Sequence, residues 1–129
     1  MKTVHVSTDK PYDIMIARGI LEETGAVLRR LSRAEKVVVV TDSNVAPHYL
    51  TRALDSLAKQ DFQTKAFIFE AGEERKHLGT IADIYQALAD FRVTRRDVIV
   101  ALGGGVCGDM AGFAAATYLR GIDFMQVPT

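Results

Sequence analysis

Val98-Ile99-Val100-Ala101-Leu102-Gly103-Gly104-Gly105-Val106-Cys107-Gly108-Asp109 decides the fold. Five consecutive apolar residues are too short for most helices and read as a buried strand. Three glycines follow with no polar spacer, and then Met110 to Ala116, small and apolar, reads as a helix pressed hard on a sheet. A strand, a glycine turn and a helix in that order aim free backbone N–H groups at an anion. The stretch therefore predicts a nucleotide pyrophosphate site. Gly103-x-Gly105-x-x-Gly108 also matches the G-x-G-x-x-G fingerprint literally, but it sits late in the chain. The usual acidic ribose partner, about 20 residues downstream, would have to be Asp123, which opens a strand rather than closing one. The better ribose partner lies upstream, at Asp42.

Working outward, Lys36-Val37-Val38-Val39-Val40-Thr41-Asp42 is the clearest strand of the first half. Four valines in a row indicate burial on both faces, as in a parallel sheet covered by helices. Asp42 stands at the carboxyl end of this strand, where open α/β sheets meet their ligands. Asp42, Ser43 and Asn44 are equally good caps for the next helix, so position alone leaves Asp42 between those two roles. The next helix is expected over Tyr49 to Lys59, after Pro47. Phe62 to Phe69 reads as a strand, and Thr80 to Phe91 as an amphipathic helix with Ile81, Ile84, Leu88 and Phe91 on one stripe. Upstream, Thr3–Val6 and Tyr12–Ile16 alternate around a turn at Asp9-Lys10-Pro11 and predict a hairpin. Leu21 to Leu31 is expected to be helical, weakened by Gly25. Phe124 to Val127 closes the chain as a strand. From Lys36 onward strands and helices alternate at βα spacing. The predicted fold is α/β, Rossmann-like and doubly wound, with a mainly parallel sheet and an N-terminal hairpin.

Length and composition agree. The 129 residues are 48% hydrophobic and 25% charged, with 16 basic and 16 acidic side chains. One domain with a real core is expected, and the balanced charge points to neither a nucleic-acid nor a membrane partner. No apolar run approaches the ~20 residues that span a bilayer, and Met1–Val6 alternates instead of forming a signal sequence. The single cysteine forms no disulfide framework and suits a reducing compartment, so the expected location is cytoplasmic. The end at Val127-Pro128-Thr129, directly after a core strand, suggests a longer parent.

Other candidate groups have bland readings. Ala71-Gly72-Glu73-Glu74-Arg75-Lys76-His77 fits a solvated helix start, with Glu73 and Glu74 at the positive end of the dipole. Asp109, just inside the helix opened by the glycines, gains from the same dipole. Arg120 suits a helix C-terminus or a guanidinium clamp on a carboxylate or phosphate. Cys107 reads as a small filler, with no base nearby in sequence. His5, His48 and His77 are scattered and make no metal-ligand spacing.

Several separated motifs together resemble one family, 3-dehydroquinate synthase. They are Gly103-Gly104-Gly105-Val106-Cys107-Gly108-Asp109, Gly112-Phe113-Ala114-Ala115, Arg120-Gly121 and Val127-Pro128-Thr129, preceded by Thr41-Asp42-Ser43-Asn44-Val45 and Gly72-Glu73-Glu74-Arg75-Lys76. The resemblance covers essentially the whole chain but only the N-terminal half of the family's enzyme. It implies a lyase that uses NAD and a divalent metal, zinc or cobalt, to convert DAHP to 3-dehydroquinate and phosphate in the shikimate route to aromatic amino acids. It implies that residues 1–129 are the NAD-binding domain. The metal ligands and a C-terminal catalytic domain would lie beyond Thr129, so no catalytic or metal residue is expected here and the chain alone should be inactive.

By motif, Asp42 and Asn44 would meet the adenosine ribose. Gly72, Glu73 and Lys76 would line the ribose and phosphate path. Gly104, Gly105, Val106 and Gly108 would serve the pyrophosphate, Asp109 the nicotinamide end, and Thr129 would be the first of a threonine pair that touches NAD. Arg120 resembles an arginine that reaches the substrate in the partner subunit, which implies a homodimer. Cys107 departs from the aliphatic residue more usual at its position. A related sugar-phosphate cyclase, a metal-dependent polyol or glycerol dehydrogenase, and a free-standing nucleotide-binding module are the alternatives.

Overall fold

The four valines of the first long strand divide their side chains between two cores. The computed structural model describes residues 1–129, and in it β3 (Lys36–Asp42) runs through the centre of the molecule. Because successive side chains of a strand point to opposite faces, Val38 and Val40 enter one core while Val37 and Val39 enter the other. The same split occurs in β5 (Val98–Gly103). Ile99 and Ala101 lie on one side; Val98, Val100 and Leu102 lie on the other. Every residue of β5 is buried.

The element order is β1 (Lys2–Val6), β2 (Tyr12–Ile16), α1 (Thr24–Leu31), β3, α2 (Ala46–Ala58), β4 (Gln63–Phe69), α3 (Leu78–Asp90), β5, α4 (Gly105–Thr117) and β6 (Asp123–Pro128). The main sheet has the order β4-β3-β5-β6, with every pairing parallel. Helices α3 and α4 cover one face, through Ile81, Ile84, Leu88, Met110, Ala111 and Ala114. Helices α1 and α2 cover the other, through Leu28, Ala53 and Leu57. The expected doubly wound, parallel α/β layer is present, and β1 and β2 form a separate antiparallel hairpin in which Thr3 faces Met15.

Strand order places a topological switch point. The chain leaves β3 for β4 on one side and reaches β5 on the other, so the connections diverge from between β3 and β5. Open α/β sheets bind ligands at the carboxyl ends of such a pair. Here those ends are Asp42 and Gly103.

Helix boundaries differ from expectation in instructive ways. α4 begins at Gly105, five residues before the expected Met110, so the third glycine is helical. Asp109 therefore lies in the second turn, beyond the reach of the N-terminal dipole. The stretch from Leu21 is not one helix: a 3₁₀ turn at Ile20–Glu23 precedes α1. Gly25 does not weaken α1. It is the place where the backbone of α2 crosses, and its N–H donates to Ser56 Oγ at 2.9 Å. Glu73 and Glu74 belong to a short 3₁₀ turn, Glu73–Arg75, and not to the start of α3. His77 caps α3 instead, its ring accepting from the Thr80 N–H.

Candidate functional site

The carboxyl ends of β3, β4 and β5 open into a cleft of about 210 Å³, lined by Asp42, Asn44, Phe69, Ala71, Gly72, Glu73, Gly104, Gly105, Val106 and Cys107. Seven of the residues singled out in the sequence thus meet at one place: Asp42, Asn44, Gly72, Glu73, Gly104, Gly105 and Val106. Phe69, Ala71 and Cys107 complete the lining; the first two carry no signal in the sequence beyond standing at a strand end.

Asp42 does not cap α2 itself, whose N-cap Val45 has no side-chain bond; it closes the turn before the helix while lining the cleft. Its Oδ1 accepts from the Asn44 and Val45 N–H groups, each at 2.9 Å, in the turn that starts α2. Both bonds use one oxygen, so Oδ2 keeps its acceptor capacity for a ligand. Ser43 ties the neighbouring loops together. Its N–H donates to Phe69 O at 2.9 Å and its Oγ accepts from Ala71 N–H at 2.9 Å.

Opposite Asp42 is the N-terminus of α4. No side chain caps it, and the first N–H groups of any helix have no intrahelical partner. Gly104 and Gly105 have ordinary negative or unremarkable φ; neither is among the left-handed residues. A Cβ at either position would meet nothing within 4 Å. The chain's own fold therefore gives no reason for these two glycines. Gly103 and Gly72 are different: their φ values of 153° and 140° favour glycine on conformational grounds.

Lys76 and Asp109, 33 positions apart in sequence, form an ion pair at 2.7 Å beside the cleft. The Asp109 carboxylate, through its hydrogen bond and its charge, holds the Lys76 ammonium above its ordinary 10.5, with a smaller contribution from Glu73. This pair is invisible to sequence reasoning, because only the tertiary fold brings the loop before α3 against α4.

Five of the expected site residues lie outside the lining: Lys76 and Asp109, paired beside it, and Gly108, Thr129 and Arg120. Gly108 donates its N–H to Gly104 O at 3.0 Å and turns its bare face to the Gln126 side chain of β6. It allows α4 and β6 to approach. Thr129 sits one strand along the same edge, its N–H directed at Gly103 O at 3.4 Å. Arg120 is at the far end of α4. The 13 residues of that helix separate it from the cleft by about 18 Å, at ~1.5 Å per residue. It cannot serve the cleft of its own chain.

Cys107 forms the floor. It is 1% exposed, and its thiol donates to Val40 O at 3.1 Å. Burial, and then the charge of Asp42, push the thiol up from 9.0 to about 12. The thiolate is the reactive form, so native protein at pH 8 should resist iodoacetamide at least about 100-fold more than unfolded protein. Fast native labelling would contradict this packing. The linkage has a definite sign. The folded chain holds this proton more tightly, so the contribution to stability is constant below about pH 9 and is lost as pH rises towards 12. Cys107→Ala should lack that part of the alkaline slope in denaturant titrations.

No group of three His, Cys, Asp or Glu side chains assembles into a metal site. No helix is long and apolar enough to cross a membrane.

Comparison with known proteins places the chain. A family model described as 3-dehydroquinate synthase N-terminal matches residues 66–129. A 3-dehydroquinate synthase of Streptococcus pneumoniae (strain ATCC 700669 / Spain 23F-1) is 51% identical over 119 residues, 92% of this chain and 34% of that relative. The chain thus spans about a third of the length of the curated relatives it matches. Among solved structures, a 2-deoxy-scyllo-inosose synthase complexed with carbaglucose-6-phosphate, NAD+ and Co2+ superposes with a TM-score of 0.90 at 28% identity, over 99% of this chain and 35% of that one. A glycerol dehydrogenase of Schizosaccharomyces pombe shares the fold alone, with a TM-score of 0.69 at 21% identity, over 84% of this chain and 25% of that one. With residues 66–129 inside that family model and half of the aligned positions identical to the pneumococcal enzyme, the chain belongs to the 3-dehydroquinate synthase family.

Proposed function

We propose that residues 1–129 are the NAD-binding domain of a 3-dehydroquinate synthase that converts DAHP to 3-dehydroquinate and phosphate in the shikimate route. One observation carries this reading. Gly104 and Gly105, bare of neighbours at the uncapped N-terminus of α4, face Asp42 across the switch point between β3 and β5. Glycines that the fold does not need, where backbone N–H groups stand free, suit close approach by a pyrophosphate.

The division of labour follows. The N–H groups of Gly105 and Val106 take the pyrophosphate, with Gly104 leaving it room. Asp42 Oδ2 and Asn44 take the adenosine ribose. Gly72 and Glu73 form the opposite lip. Lys76, held in its ion pair with Asp109, brings an ammonium to the edge of the cleft that contains Asp42 and Glu73, and Asp109, one helical turn further in, meets the nicotinamide end. Thr129 adjoins the same edge. NAD, when bound, supplies reversible oxidation of a substrate hydroxyl; the residues here bind and orient it. The cleft is smaller than the ~300–1,000 Å³ of a typical small-molecule site, which suits one wall of a site closed by a second, metal-holding domain with zinc or cobalt. Arg120, too far from its own cleft, would contact substrate bound to a partner subunit of a cytoplasmic homodimer.

The test is phosphate release from DAHP by the full-length protein supplied with NAD and a divalent metal. Stoichiometric phosphate with no net NADH is expected. Release from a hexose 6-phosphate instead would place the protein with inosose-forming cyclases. NADH accumulation on a polyol, without phosphate release, would make it a dehydrogenase.

A further inference from the structure

The loop between β4 and α3 carries three of the residues proposed to meet the cofactor, Gly72, Glu73 and Lys76, yet it has no buried anchor. Phe69 and Thr80 are buried, and no residue between them is. Most of its bonds are internal. Arg75 N–H donates to Gly72 O at 3.1 Å, Lys76 N–H to Glu73 O at 3.0 Å, and the Arg75 guanidinium to the Glu70 carboxylate at 2.6 Å. Apart from the bonds that His77 makes with α3, two ties reach other elements. Ala71 N–H donates to Ser43 Oγ at 2.9 Å, and Lys76 pairs with Asp109 of α4 at 2.7 Å.

Ser43 belongs to a tripeptide that gathers three strand ends. Thr41 Oγ1 donates to Leu102 O of β5 at 2.7 Å. Asp42 Oδ1 closes the turn before α2. Ser43 reaches the other way, its N–H to Phe69 O at the end of β4 and its Oγ to Ala71. The two hydroxyls differ in burial. Thr41 is fully buried, so an unpaired Leu102 carbonyl there would cost the fold directly. Ser43 is exposed, and so is its bond with Ala71. Water replaces an exposed partner at little cost to stability. The value of this bond lies in where it puts the next two residues, because Gly72 and Glu73 line the cleft.

We infer that Ser43 is a positioning residue for the cofactor: its hydroxyl hangs the loop of residues 70–77 from the tip of β3, so that Gly72 and Glu73 already form their side of the cleft before the dinucleotide arrives. The inference rests on the function proposed above. Ser43 acts through the loop and need not touch the ligand. An unheld loop has to be ordered on binding, and that ordering is subtracted from affinity. The other tie, Lys76–Asp109, is an exposed ion pair that salt screens. The two ties back each other up, so a loop that has lost the hydroxyl depends on ionic strength.

The experiment uses the full-length protein freed of cofactor. It combines calorimetric titration with NAD, amide hydrogen exchange over residues 70–77 and a thermal melt. Ser43→Ala should weaken NAD binding about tenfold, with the melting temperature within about 2 °C of the parent. Without NAD, the amides of Ala71, Arg75 and Lys76 should exchange about tenfold faster in that variant. Ser43→Thr, which keeps a hydroxyl, should match the parent in both. Raising salt from about 0.05 to 0.5 M should widen the affinity gap between Ser43→Ala and the parent about threefold. Affinity of Ser43→Ala within about twofold of the parent overturns the inference, as does a gap that Ser43→Thr does not close or that salt does not widen. Weaker binding with unchanged exchange in the free protein also overturns it, since Ser43 would then touch the cofactor itself. A fall in melting temperature large enough to explain the lost affinity overturns it too, by making Ser43 a residue of the fold. A parent protein that binds no NAD removes the proposed function, and this inference with it.

Discussion

Gly105→Val in the full-length protein is expected to weaken NAD binding at least about 100-fold, or roughly 2.8 kcal/mol, without loss of stability. The two halves of that statement come from one geometric fact. A Cβ at Gly105 meets nothing within 4 Å in the ligand-free chain, so the fold tolerates it. Valine also costs less than glycine inside a helix, which makes a slight gain in melting temperature the expected direction. In the complex, the same atoms would occupy the path of the pyrophosphate and push it away from the N–H groups of α4. Calorimetric titration with NAD and a thermal melt measure the two halves separately. Lost stability with unchanged affinity would mean that the glycine serves the fold.

Gly25→Ala should show the opposite pattern. Its Cβ would overlap the Ser56 carbonyl oxygen and lie 2.5 Å from the Ser56 carbonyl carbon and 3.0 Å from Leu57 Cα. These are backbone atoms of α2, which cannot rotate aside. The helices must separate, and the contacts between them are dense. Gly25 N–H donates to Ser56 Oγ, whose hydroxyl donates to Glu22 O at 2.7 Å. Arg29 donates through Nε and Nη2 to Gln60 O, and its guanidinium lies 3.6 Å from the centre of the Phe62 ring. Overpacking of this kind costs about 3 kcal/mol, so melting should fall by roughly 10 °C or more. Weaker NAD binding is expected only in proportion to the unfolded fraction. A melting temperature within about 2 °C of the parent would show that α1 can shift away from α2 at little cost.

These two glycines also show how far the sequence could be read. The strand of four valines and the glycine-flanked strand at Val98 each carry a direct physical signal, burial on both faces, and the parallel sheet follows from them. The cleft was legible because its residues stand at strand ends, a position that periodicity locates well. Helix starts were less so. Gly105 reads as part of a loop because glycine weakens helices, yet it is the first residue of α4. Gly25 lowers helical propensity locally, and only the crossing of α2 shows why it is there. The Lys76–Asp109 pair joins residues from different βα units, and no local pattern predicts it. The tight turn closed by Gly121 N–H to Tyr118 O, with Leu119 and Arg120 at φ of 50° and 67°, is hidden for a different reason: neither central residue is a turn former.

The β3/β5 switch point is the proposed cofactor site, and every residue role above follows from it. Both faces of the sheet are covered in residues 1–129, so this chain has a core of its own and its amides can be followed one by one in solution. The direct measurement is a titration of the ¹⁵N-labelled chain with NAD, reading backbone amide shifts. Binding should be weak, since a cleft of about 210 Å³ encloses only part of a dinucleotide, but the shifts should concentrate at Gly104, Gly105 and Val106, with smaller ones at Asn44 and Glu73. Shifts clustered elsewhere, for example at the Glu22–Arg52–Lys59 cleft on the α2 side, or none at Gly104–Val106 at saturating NAD, would contradict it.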